Sequence, residues 1–136
     1  MDEHYLFLSS DQSKDRYPSN EPGDFTVELP HTYHLQGHWI CSLKEIQIPV
    51  RSDIVYVCSD ICGESYAENT MLPILGALQK PSGKSVVTHF LFDNPMRMKI
   101  KPTVVNRVRI FIRDSQLKSF EVSKTVRCTV HLKKWK

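Results

Sequence analysis

The sequence predicts an all-β domain of the sandwich or barrel class. Two observations carry that prediction: eight or nine short runs alternate apolar and polar residues at near-regular spacing, and no credible helical pattern separates them. The clearest runs lie late in the chain. Val126, Cys128, Val130 and Leu132 alternate with Arg127, Thr129, His131 and Lys133, and Val108, Ile110 and Ile112 alternate with Arg107, Arg109 and Arg113. A strand sends successive side chains to opposite faces, so a period of two marks a half-buried sheet.

The elements follow in order. His4 to Ser9 reads as a first strand, with Leu6 and Leu8 on one face and Tyr5 and Phe7 on the other. Ser9 to Gly23 is rich in Ser, Asp, Asn, Pro and Gly, which favour turns, so a long loop is expected. Asp24 to Pro30 is a strand burying Phe25, Val27 and Leu29; His31 to Gly37 then turns. Trp39 to Ile48 runs on as a longer strand whose apolar parity changes between Leu43 and Ile46, the mark of a β-bulge. Asp53 to Cys58 is rich in β-branched and aromatic residues, whereas Ile61 to Thr70 is less regular. Pro73 within the apolar run Met71 to Leu78 predicts an edge position or a bend. A hairpin-like turn at Lys80–Lys84 leads into Ser85 to Phe92, Asp93–Pro95 turns again, and Arg97–Lys101 follows. Strands at 104–113 and 124–133 close the fold.

At 136 residues the chain is one domain able to bury a core, with ordinary apolar (40%) and charged (24%) content. No window approaches the roughly 18 apolar residues of a membrane span. The acidic opening, with an apolar stretch of only Tyr5 to Leu8, does not read as a secretory signal, so residence in the cytosol or nucleus is expected. In that setting Cys41 and Cys128 read as small buried hydrophobes, and Cys58 and Cys62 do not read as a disulfide framework.

Net charge is +3, but residues 1–96 carry 6 Lys/Arg against 13 Asp/Glu, and residues 97–136 carry 12 against 2. Three readings stay open: a basic surface for nucleic acid, a basic surface meeting an acidic edge of a neighbouring copy, and a solvated face. Phe111 shares the outward parity of Arg109 and Arg113, and Trp135 stands between Lys134 and Lys136. Aromatic residues among cations suit base stacking, but packing of Phe111 against a neighbouring subunit or loop is the preferred reading.

Catalytic chemistry finds no anchor. No phosphate-binding glycine loop, zinc-protease helix or nucleophile elbow occurs, and no Ser, His and acid are fixed together. His31, His34 and His38 have spacings that bind zinc when a helix aligns them, but Pro30 and Gly37 bracket the segment, which reads as a polar turn. The sequence therefore nominates no catalytic residue, no cofactor and no metal ligand.

Three tracts carry a family resemblance. Tyr5–Ile48 holds Tyr17–Pro18 with Asn20, then Leu29–Pro30, Gly37, Trp39, Leu43, Glu45 and Ile46; Val55–Leu75 holds Val55–Val57, Asp60, Thr70, Pro73, Ile74 and Leu75; Asn106–Leu132 holds VRIFIRDS and CTVHL. The chain resembles the penton-like minor capsid proteins of Polinton/Maverick elements and their adintovirus relatives. Two positions depart from that pattern: Cys58-Ser59 stands where a tyrosine and cysteine pair is expected, and Gly76 where a basic residue is usual. The resemblance implies a single jelly-roll β-sandwich of two four-stranded antiparallel sheets, assembled as a homo-pentamer at the vertices of an icosahedral virion. Its partners would be a double-jelly-roll major capsid protein and a fibre protein, with no membrane and with assembly in the nucleus. The alternative is a non-enzymatic binding module of the same fold, for protein or nucleic acid, descended from a domesticated capsid gene. A closed ring needs two different complementary surfaces on each copy. Arg107, Arg109, Phe111 and Arg113 are the expected subunit interface, and reversing the three arginines to Glu is expected to block assembly without unfolding the monomer. The Ser9–Gly23 loop and the Lys80–Lys84 turn are expected contact sites for capsid neighbours or a fibre.

Overall fold

The long-range pairing of the strands follows one nested scheme. In the computed structural model, which describes residues 2–49, 54–79, 87–119, 122 and 124–135, the strands are β1 (Glu3–Ser9), β2 (Asp24–His34), β3 (Trp39–Pro49), β4 (Ile54–Ser59), β5 (Ser65–Ala67), β6 (Thr70–Leu72), β7 (Ile74–Gln79), β8 (Val87–Leu91), β9 (Met98–Lys99), β10 (Val104–Asp114) and β11 (Arg127–Lys134). No helix occurs among the described residues. Sheet I has the order β1-β11-β3-β8, with the two-residue β9 also on β3; sheet II has the order β2-β10-β4-β7. β1 pairs with β11, β2 with β10, β3 with β8 and β4 with β7, all antiparallel. The Lys80–Lys84 turn lies outside the described residues.

The two sheets face each other across one core. Leu6, Leu8, Leu43, Ile46, Ile48, Val130 and Leu132 come from sheet I; Phe25, Val27, Val55, Val57, Leu78, Val108, Ile110 and Ile112 come from sheet II. Each such side chain, fully buried, contributes about 1.5–3 kcal/mol relative to exposure. The alternation in β1 is as the sequence predicts, Leu6 and Leu8 buried while Tyr5 and Phe7 are exposed; in β10 and β11 the core-facing residues are those predicted, but Phe111, Thr129 and His131 on the opposite face are buried as well. The bulge in β3 also lies where the parity changes. Thr129 opposes Glu45 and Val130 opposes Leu43, leaving Lys44 as the extra residue.

Three departures have local causes. The second strand does not stop at Pro30 but resumes through His34, because Arg107 pairs with Glu28 and Val105 with Tyr33, so the residues around Pro30 are looped out of the ladder. Proline has no N–H to donate, and the ladder skips it. The irregular Ile61–Thr70 stretch holds β5 and the turn into β6, a hairpin closed by Glu68 and Asn69 at φ 49° and 65°. Two successive positive φ values mark the tight hairpin turn whose twist matches its strands. Finally, the Ser9–Gly23 loop lies along β2, which is an edge strand. The Asn20 amide donates to Thr26 O at 2.8 Å and accepts from Thr26 N at 3.0 Å, and Ser13 Oγ accepts from Glu28 N at 2.9 Å. Those contacts occupy the backbone groups that an open edge would offer to another chain.

Pro73 separates β6 from β7, and β7 is the other edge of sheet II. Gly76 of β7 faces inward: a Cβ there would lie 3.0 Å from Leu43 Cδ2. A basic side chain at this position would enter the core.

Candidate functional site

Outward residues of two sheets form the surfaces on which function can rest. On sheet II the central strand β10 presents Arg107, Arg109, Phe111 and Arg113, the four residues expected at a subunit interface. The structure brings three of them into one stack. Arg109 Cζ sits 4.3 Å and Arg113 Cζ 4.7 Å from the Phe111 ring centroid, within cation–π range. Phe111 is only 7% exposed, packed with Tyr56, Cys58 and Ile74 in a small second core, with Ala67, Leu72 and Leu117 partly buried against it. The β5–β6 hairpin supplies Ala67 and Leu72, and Tyr56 Oη donates to Glu68 Oε1 at 3.0 Å, tying the hairpin over this face. The ring of Phe111 therefore meets its own chain, and its faces are not open to a stacking base.

The arginines differ among themselves. Arg109 donates from Nε to Asp24 Oδ1 at 2.9 Å and from Nη2 to Asp24 Oδ2 at 2.7 Å, the bidentate geometry that suits a guanidinium and a carboxylate. That hydrogen bonding holds the Arg109 guanidinium above its ordinary pKa. Its backbone N–H donates to Asp60 Oδ1 at 3.0 Å. Arg113 donates to its neighbouring carbonyl, Ile112 O, at 3.0 Å. Arg107 is exposed, with no ion-pair partner among the described residues, in a shallow pocket with Asp60 and Lys101. Arg107 is thus the clean probe of this face, while reversing Arg109 would set two like charges against each other at Asp24.

Sheet I offers a more open face. Tyr5 stacks on His131 with centroids 4.4 Å apart, His131 Nε2 lies 3.3 Å from Glu3 Oε2, and Glu45 meets both Thr129 Oγ1 (2.8 Å) and His89 Nε2 (3.1 Å). The hydrogen bonds from Thr129 and His89 hold the Glu45 carboxyl below its ordinary range. Phe7 stands 70% exposed beside a cleft of about 560 Å³. A second cleft, of about 580 Å³, lies where the start of β1, the end of β11 and the 93–97 loop meet. Lys44, Arg97, Lys133 and Lys134 line it together with Asp2, Glu3 and Asp93, and with Trp135, which is 55% exposed. Lys44 shares the face of Ile40 and Ser42 on β3, so the middle of the chain adds a cation to those of Arg97, Lys133 and Lys134.

The other sequence-nominated groups do not converge. His31, His34 and His38 are all exposed, and the first two lie in β2, where a separation of three residues puts side chains on opposite faces. Among the described residues no three His, Cys, Asp or Glu are grouped to hold a metal ion. All four cysteines are free and buried. Burial pushes the Cys58 and Cys128 thiols up to about 12, and a hydrogen bond with Cys62, together with burial, raises Cys41. A thiol so held is not a thiolate nucleophile at neutral pH. Cys58 belongs to the outer cluster, and Cys62, hydrogen-bonded with Cys41, to the main core.

The hairpin cover over Phe111 and the cation cleft on sheet I were both missed by reading along the chain. For the cover there was a signal: Ile54–Cys58 is continuously apolar, as a strand buried on both faces must be. No family model matches the chain, and no curated protein matches it.

Proposed function

We propose that this chain is a single jelly-roll, non-enzymatic minor capsid protein that forms rings of five at the vertices of an icosahedral, double-jelly-roll shell. The observation that carries the reading is the nested pairing of β1 with β11, β2 with β10, β3 with β8 and β4 with β7. Such pairing is what a long antiparallel hairpin gives when it rolls up into two sheets, and it supports the jelly-roll reading. The sequence resemblance to penton-like proteins of Polinton and adintovirus type supplies the assembly. A closed ring uses heterologous contacts, and the two outer faces present different side chains, the hairpin-covered Phe111 stack on one and the Trp135 cleft on the other.

The test is the solution mass of the purified chain by light scattering at low and at moderate salt. A fivefold mass is expected, and its decline with salt would assign the contact to charge. A monomer at every concentration, also when mixed with a double-jelly-roll major capsid protein, would overturn the proposal. A second reading, a single-stranded nucleic-acid module, is favoured by Lys133 and Lys134 beside exposed Trp135. That reading requires oligonucleotide binding whose affinity falls steeply with salt.

A further inference from the structure

The two outer faces carry complementary patches at different places in the fold. The stretch from residue 60 to 79 holds three acidic residues, Asp60, Glu64 and Glu68, and no Lys or Arg. Its β5–β6 hairpin is fastened to sheet II through Tyr56, Ala67 and Leu72, yet it points two large apolar side chains outward: Tyr66 is 69% exposed and Met71 53% exposed. The Tyr66 hydroxyl donates to Asn69 Oδ1 at 2.8 Å, which fixes the phenol within the hairpin and leaves its ring uncovered.

The cleft on sheet I has the opposite character. Among the described residues, none of Lys44, Arg97, Lys133 and Lys134 has a carboxylate at ion-pair distance, although they share one cleft. Asp2, Glu3 and Asp93 line the cleft with them, and of these acids Glu3 is engaged by His131. Trp135 adds an open aromatic surface, and its backbone N–H is fixed by His38 O at 2.7 Å. The four cations outnumber the three carboxylates that line the same cleft, which leaves positive charge for an acidic insert to pair with.

We infer that the β5–β6 hairpin of one copy seats in the Lys44–Arg97–Lys133–Lys134 cleft of the next, with Glu64 against the lysines and Tyr66 and Met71 against Trp135. The inference rests on the ring assembly proposed above and names the two surfaces that make it. Because the patches lie on opposite sheets of the sandwich, the contact is head-to-tail: each copy gives a hairpin and receives one. Such a contact either closes into a ring or continues as a filament, according to the angle between the two faces.

The experiment joins two measurements on the full chain. Carbodiimide links carboxylates directly to lysine amines, and mixing isotope-labelled with unlabelled chain separates contacts between copies from contacts within one. Links from Glu64 or Glu68 of one copy to Lys44, Lys133 or Lys134 of another are expected. In parallel, Lys133→Glu with Lys134→Glu is expected to weaken association by roughly tenfold or more, as is Glu64→Lys alone. The chain carrying all three reversals is expected to associate again, because the charges are then exchanged. Glu64 is the residue reversed on the hairpin because Glu68 already accepts the Tyr56 hydroxyl and Asp60 the Arg109 amide.

A fivefold mass with none of these links, and no response to the reversals, overturns the inference and leaves the ring standing. A monomeric mass with the hairpin-to-cleft links at high concentration supports the contact and removes the ring. Absence of both removes both. Lysines that instead become protected by a single-stranded oligonucleotide, with no links between copies, would assign the cleft to nucleic acid and overturn the inference.

Discussion

Replacing Phe111 with Ala separates an internal anchor from an interface residue. Phe111 is 7% exposed, covered by two guanidinium groups and by the Tyr56, Cys58 and Ile74 side chains. Truncating a buried Phe to Ala costs about 3–5 kcal/mol. The outer cluster is small and can relax toward solvent, so the low end applies, about 3 kcal/mol, of which the two cation–π contacts account for about 0.5–1 kcal/mol each. With a urea m-value of about 2 kcal/mol/M, the midpoint should fall by about 1.5 M with m unchanged. Phe7 is the internal control. It lies on the outer face of sheet I, 70% exposed, so Phe7→Ala should stay within about 0.5 kcal/mol. Equal, small shifts for both variants would mean that Phe111 is not held by its own chain, and the account of the sheet II face would fail.

Three further outcomes follow from the geometry. Arg109→Ala and Asp24→Ala should show a coupling of about 1 kcal/mol in a double-mutant cycle, reduced by added salt because both groups are more than a third exposed; a coupling near zero would make the bidentate pair energetically idle. Gly76→Ala should cost about 1–2 kcal/mol by pressing on Leu43 Cδ2, and less in a Leu43→Val background that removes that methyl group; strictly additive midpoints would contradict the contact. Burial against Tyr33 and Trp39 lowers the pKa of His4 from 6.5, so the unfolded chain binds the proton more readily. Stability from this group is present above about pH 6.5 and is lost as pH falls through that value toward the lowered one; His4→Gln should flatten this part of the curve between about pH 8 and pH 5, and an unchanged curve would refute the assignment.

Strand identity was legible where one face is wet. In β1, β10 and β11 the alternation gave the core-facing residues, although the opposite face is wet throughout only in β1, and the parity change placed a bulge between Leu43 and Ile46, where the pairing leaves out Lys44. The β5–β6 hairpin was not legible, because three-residue strands joined by Glu68 and Asn69 have neither a period to count nor a glycine to mark the turn. Its consequence, the burial of an outward-parity Phe111, was hidden for the same reason. The Arg109–Asp24 pair spans 85 residues, and the cation cleft joins Lys44 to Arg97 and Lys133; only the fold brings such groups together. A charge count along the chain placed the basic residues at its end, but it could not distinguish Arg109, which has a partner, from Lys133, which has none among the described residues.

Electron microscopy of the purified chain tests the central claim most directly. Particle averages should show closed rings of five copies, each in contact with two neighbours through different faces. Rings of another number, open filaments, or single particles of monomer size at every concentration would contradict it.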